Sequence, residues 1–237
     1  MKNIKFIFFF GLLSFLNCSG DDNDSTNDSI INESRTFKIL SLGDSYTIGQ
    51  SVCETCRFPE QLKDSLQLRY TVQDTFKLKV IAQTGWTTTN LKTAIASENL
   101  TNDNDLITLL IGVNNQFQGN PFSLYETEFP ELLQTAITAA KGDKANVIVL
   151  SIPDYAFTPF GQNNGNPESI SIEIDAYNTF AKNYCDTNNI TFINITDITR
   201  EGLDNTDLVA SDNLHPSELA YSRFIERLLP VAIEKIE

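Results

Sequence analysis

A single histidine, His215, occurs in the 237 residues, within "SDNLHPSELAYSRF" (residues 211–224). It follows Asp212 by three positions and directly precedes Pro216. An imidazole exchanges a proton near neutral pH, so one such group can act as both base and acid. Asp212 is close enough to accept one ring N–H, which leaves the other nitrogen free to take a proton from a nucleophile. Ser45, in "GDSYTIG", is the candidate nucleophile, because a serine hydroxyl attacks only once a base removes its proton. Acyl transfer also needs donors for a developing oxyanion, each worth about 2.7–4 kcal/mol when well placed. Three candidates stand out: the backbone N–H of Ser45, the backbone N–H of Gly85 in "TGWTTT", and the side-chain amide of Asn114 in "GVNNQ". Gly85 has no Cβ to hold a substrate away, and Asn114 is a neutral donor where a carboxylate would repel negative charge.

These residues need elements to hold them. "FKILSLGDS", "FKLKVIAQ", "DLITLLIG", "NVIVLSIP" and "ITFINITD" are apolar runs with little polar alternation, the pattern of strands buried in a parallel sheet. Helical spacing fills the segments between them, over Pro59–Tyr70, Thr88–Glu98, Tyr125–Lys141, Ile170–Asp186 and Ser217–Ile236. Strand and helix in alternation predict an α/β domain, five parallel strands with helices on both faces. Ligands of such sheets bind beyond the carboxyl ends of the strands, which is where Ser45, Gly85 and Asn114 fall.

The blocks carrying Ser45, Gly85, Asn114 and the Asp212–His215 pair, in that order, resemble the SGNH, or GDSL-type, hydrolases, over essentially the whole domain. The resemblance implies a three-layer α/β/α, flavodoxin-like fold and a serine esterase or lipase. It assigns catalysis to Ser45, Asp212 and His215, and the oxyanion hole to Ser45, Gly85 and Asn114. Short-chain acyl esters, including O-acetylated carbohydrate, are the expected substrates, with no cofactor and no metal. Tyr46 replaces the usual Leu after the serine, and Asn115 stands where the third block often carries Asp. Two readings remain beside this one: a lysophospholipase or thioesterase-like lipid hydrolase, and a non-catalytic carbohydrate-binding protein on the same scaffold.

The formal charge of −14 disfavours a nucleic-acid partner. At the amino end, Lys2 and Lys5 flank an apolar run too short to span a bilayer, as in a signal peptide. "SFLNCSG" resembles a bacterial lipobox, with Asn17 in place of the usual small residue. That resemblance implies removal of residues 1–17, lipidation of Cys18 and anchorage to the outer membrane, facing the periplasm or the cell surface. The acidic, polar stretch after Cys18 predicts a tether to residue 36 and a hydrolase domain over 37–237. Outside the cytoplasm, Cys53 and Cys56 would form a local disulfide, and Cys185 would be a buried thiol. The segment 153–169, with Tyr155, Phe157, Phe160, Gln162, Asn163 and Asn164, is the longest connection and should border the site, its aromatics either facing sugar beside the amides or packing into the core.

Overall fold

The computed structural model describes residues 34–236, so the expected signal peptide, Cys18 and most of the expected tether lie outside the described residues. Five parallel strands form one sheet: β1 (Thr36–Gly43), β2 (Thr75–Ala82), β3 (Leu106–Leu110), β4 (Val147–Leu150) and β5 (Thr191–Ile193), in the order β2-β1-β3-β4-β5. The strands "LITLL" and "VIVL" of β3 and β4 are buried at every residue because helices cover both faces. β2 departs from the uniformly buried strand its sequence predicted. It is an edge strand whose residues alternate between buried and exposed, with Lys77 and Lys79 on its outer side, where charge discourages pairing with another sheet.

The helices that follow are α1 (Ser45–Ile48), α2 (Phe58–Gln67), α3 (Thr88–Ser97), α4 (Val113–Phe117), α5 (Phe122–Ala139), α6 (Pro159–Asn163), α7 (Pro167–Asn188), α8 (Thr196–Thr199) and α9 (Glu218–Ile236). Helices α2 and α9 pack together on one face, and α3, α5 and α7 form the opposite layer. Between them lies a core built on the sheet, with Leu40, Leu62, Leu109, Phe129, Ile174 and Phe224 almost inaccessible to solvent. The short helices α1, α4, α6 and α8 are not among the helices that sequence spacing predicts; four or five residues are too few for a periodic apolar pattern to register.

In this strand order the chain reverses its direction of sheet growth between β1 and β3, which opens a crevice at their carboxyl ends. Helix α1 starts directly after β1 and α4 directly after β3, so both deliver their first residues to that crevice. Gly43, the last residue of β1, permits the tight exit, since a Cβ there would collide with the Thr47 side chain and the Leu110 carbonyl. At the other end of the strand, Arg35 pairs with Asp74 at 3.0 Å and the Ser34 hydroxyl donates to the Gln73 carbonyl, so contacts with the domain begin before Phe37.

Candidate active site

Ser45 opens α1 and is 4% exposed. Asp44 precedes it, and its Oδ1 accepts the Tyr46 N–H at 3.0 Å, capping the helix. The Ser45 N–H makes no hydrogen bond among the described residues, which leaves an unused donor at the start of α1, beside the crevice. Ser45 shares a cleft of about 190 Å³ with Tyr46, Thr84, Gly85, Val113, Asn114, Phe117, Tyr155, Phe160, Leu214 and His215.

The loop before α9 holds the imidazole. Asp212 Oδ1 accepts the backbone N–H groups of Leu214 and His215, both at 3.0 Å, and Asn213 adopts a left-handed φ of 64° that asparagine tolerates. The Ala210 N–H donates back to the His215 carbonyl at 2.7 Å, closing the loop. His215 Nδ1 then meets Asp212 Oδ2 at 2.6 Å, which leaves Nε2 as the second ring position. The ring of Tyr46 lies against the imidazole with centroids 5.5 Å apart, so the residue that replaces the usual Leu forms a wall for the base. Burial pushes the Asp212 carboxyl up, but the Ser51 hydroxyl, the His215 ring and the two backbone donors outweigh it and hold it down at about 2. The carboxylate is therefore charged at any ordinary assay pH.

Gly85 lies in a turn in which the Trp86 N–H donates to the Gln83 carbonyl at 3.2 Å, and its φ of 84° marks the third position of a type II turn. A Cβ at Gly85 would meet no protein atom within 4 Å, so within the protein it is the positive φ that favours glycine. Two amides from the α4 region brace this turn: Asn114 Nδ2 donates to the Trp86 carbonyl at 3.0 Å, and Gln118 Nε2 to the Gly85 carbonyl at 2.9 Å. Asn114 keeps a second amide hydrogen for another acceptor. The Gly85 N–H, like that of Ser45, is unused among the described residues.

Asn115, which stands where a carboxylate was in question, is fully buried and exchanges two bonds with Thr88, accepting its N–H at 2.9 Å and donating to its hydroxyl at 2.7 Å. The carboxylate nearby comes from elsewhere in the chain: buried Glu128 accepts the hydroxyls of Thr88 and Thr89 at 2.5 and 2.8 Å. Together they anchor the first turn of α3 to α4 and α5.

Several residues of the site escaped the sequence reading. Asp44 stands inside the quoted "GDSYTIG", yet only the structure shows its burial. Among the described residues its Oδ2 has no hydrogen-bond partner, and burial pushes the carboxyl up to about 7 against the Tyr46 N–H and the nearby Asn114 amide, both of which favour the charged form. Phe117, at the end of α4, is 53% exposed and meets Tyr155 edge-on at 5.8 Å and Phe160 at 6.1 Å. Of the 153–169 segment, Tyr155 and Phe160 face the cleft, while the exposed amides each bond a local carbonyl. Gln162, Asn163 and Asn164 donate to the carbonyls of Ala156, Pro159 and Phe160, and Phe157 sits under the Arg200 guanidinium. Tyr155 and Phe160 form an aromatic wall of the cleft with Phe117. Cys53 and Cys56 are joined in a disulfide, and Cys185 is a buried free thiol.

A model of the GDSL-like lipase/acylhydrolase family matches residues 41–223. No curated protein matches the chain in sequence. Among solved structures, an acetylxylan esterase from Geobacillus stearothermophilus is similar, at 18% identity and a TM-score of 0.61 over 86% of this chain and 96% of that one. A lipase/acylhydrolase from Enterococcus faecalis has 19% identity and a TM-score of 0.62 over 84% and 95% of the two chains. A psychrotrophic esterase from Pseudoalteromonas sp. has 17% identity and a TM-score of 0.55 over 84% and 96%. At these identities the likeness is one of fold.

Proposed function

Since the chain belongs to the GDSL-like lipase/acylhydrolase family and is an ester hydrolase, we propose that it cleaves short-chain acyl esters, O-acetylated carbohydrate among them, through an acyl-enzyme on Ser45. Ser45 Oγ attacks the acyl carbonyl while His215 Nε2 takes its proton, and Asp212 holds Nδ1–H and stabilises the imidazolium. The carbonyl oxygen gains charge as the tetrahedral intermediate forms. The N–H groups of Ser45 and Gly85 and the free hydrogen of Asn114 Nδ2 receive it. Collapse breaks the C–O bond, and His215 returns the proton to the departing alcohol. Water, deprotonated by His215, then attacks the acyl-serine, and the carboxylic acid leaves with the Ser45 hydroxyl restored.

The observation that carries the acyl preference is the cleft. At about 190 Å³ it holds roughly six waters' worth of volume, taking about 30 Å³ for each. It is closed on one side by Phe117, Tyr155 and Phe160. An acetyl or butyryl group fits beside Ser45, and each methylene beyond that stays in water, losing the ~0.8 kcal/mol that burial would supply. The similar acetylxylan esterase gives this reading a precedent within the fold.

Export and lipid anchoring at Cys18 belong to the same proposal and rest on the sequence of residues 1–18. The chain enters the domain at the amino end of β1, and Ser45 follows its carboxyl end, about 26 Å further at about 3.3 Å per residue. The test is a p-nitrophenyl ester series, C2 to C16, with protein lacking residues 1–33 and with Ser45→Ala as the control. kcat/KM should peak at acetate or butyrate. A steady climb to long chains would reject the short-acyl reading in favour of a lipid hydrolase.

A further inference from the structure

Ser51 lies in the connection between α1 and α2, and its hydroxyl donates to Asp212 Oδ2 at 2.6 Å across 161 residues of sequence. The same Oδ2 receives His215 Nδ1, also at 2.6 Å. With the two backbone N–H groups on Oδ1, four donors fill the roughly four lone-pair sites of the carboxylate. Among the described residues, Ser51 is the one side chain other than His215 that hydrogen-bonds Asp212.

The chain goes to some cost to put Ser51 there. Its φ is 68°, a left-handed conformation that non-glycine residues adopt at a cost of about 1–2 kcal/mol. The connection around it is tied at both ends. Gly49 also has a positive φ and lies against Arg57, whose guanidinium bonds Glu54 and Glu60 at 3.1 Å, and the Cys53–Cys56 disulfide closes the segment immediately after Ser51. A strained residue in a stapled loop, aimed at a side chain distant in sequence, is over-determined by its surroundings, as strained backbone at working sites is.

We propose that Ser51 is a positioning residue for the acid of the catalytic set: it fixes the rotation of the Asp212 carboxylate and shares Oδ2 with the imidazole. The assignment rests on the reading of Ser45, His215 and Asp212 as the catalytic set. Without Ser51, Oδ2 keeps the imidazole as its one remaining partner, so the carboxylate is held less firmly in the plane of His215 and the proton transfer from Ser45 slows. Oδ2 also concentrates more negative charge on the imidazolium, so His215 holds its proton to higher pH.

His215 is the sole imidazole of the chain, so its ring signals in a nitrogen-15 NMR spectrum need no assignment and report its titration directly. Titratable groups surround it. Tyr46 from α1, Tyr155 beyond β4 and Tyr221 from α9 are pushed up by burial and stay neutral, while Asp154 is paired with Arg200. Asp44 titrates within the range but is common to every variant compared, so a difference between them belongs to Ser51. Ser51→Ala removes the hydroxyl, and Ser51→Gly removes it while relieving the backbone, so the second keeps the loop shape if the first disturbs it.

Both variants should lower kcat roughly tenfold, the scale of one charge-assisted hydrogen bond lost among several, with KM changed less than about twofold. The His215 midpoint should move to higher pH in both. Unchanged kcat and an unchanged midpoint would mean that solvent replaces the hydroxyl, and would overturn the assignment. Restoration by Ser51→Gly of what Ser51→Ala lost would overturn it too, because the backbone would then be responsible. Retained turnover in Ser45→Ala or His215→Ala would reject the catalytic reading on separate grounds, and the titration of His215 would still decide whether Ser51 acts on the pair.

Discussion

Replacing Gly85 with Ala separates the conformational from the steric role of this residue. At φ 84° an alanine is strained by about 1–2 kcal/mol, although its methyl group would touch no protein atom within 4 Å. The turn has an escape. Rotating the Thr84–Gly85 peptide converts a type II turn to type I, gives residue 85 a negative φ and keeps the Trp86 N–H on the Gln83 carbonyl. That rotation relieves the strain at little cost in hydrogen bonding, so it should win. It also turns the residue 85 N–H away from the cleft and brings the Thr84 carbonyl round instead. The loss is one oxyanion donor, about 2.7–4 kcal/mol or 10²–10³ in kcat. Stability should fall by no more than about 1–2 kcal/mol, because the strain is released locally. The assay is steady-state hydrolysis of p-nitrophenyl acetate by Gly85→Ala and Gly85→Asn, beside thermal unfolding of both. Asparagine is larger but tolerates the left-handed region, so Gly85→Asn should keep more activity than Gly85→Ala. If asparagine is the worse of the two, a side chain blocking the substrate explains the loss and the peptide-rotation argument is wrong. A Gly85→Ala enzyme within tenfold of the parent would refute it as well.

Ser45→Ala and His215→Ala should each reduce kcat by at least on the order of 10⁴-fold, and the double variant should be scarcely worse, because the two act in one step; multiplicative losses in the acetate assay would contradict that. Asp44 makes stability depend on pH: its folded carboxyl is raised to about 7 from an ordinary 3.8, so folding is most favoured below about 4 and loses stability as pH rises through 7. Asp44→Asn should remove that slope and stabilise the fold at pH 8 by up to a few kcal/mol, read as a Tm that no longer falls between pH 5 and 8. A parallel pH dependence in the parent and Asp44→Asn would show that the buried carboxyl is not the cause. Full-length protein expressed in a Gram-negative host should incorporate labelled fatty acid and sediment with membranes, and Cys18→Ala should do neither; label in that variant would exclude Cys18 as the attachment point.

Much of this molecule was legible along the chain because its signals are local. Buried parallel strands require unbroken apolar runs such as "LITLL" and "VIVL", and alternation with helical periodicity leaves few topologies once crossovers are right-handed. Asp212 and His215 are three residues apart, so one loop brings them together and sequence spacing alone reveals the pair. Ser45, Gly85 and Asn114 could be placed because each directly follows a strand, and strand ends are where parallel sheets bind ligands. What the sequence left open depends on contacts between segments far apart. Whether β2 is buried or an edge follows from strand order, not from its composition. The need for glycine at position 85 is a matter of φ, which residue type permits but does not reveal. Ser51 carries no sequence signal at all: its meaning comes from a carboxylate 161 residues away, brought within 2.6 Å only because the loops after β1 and before α9 converge over the same end of the sheet.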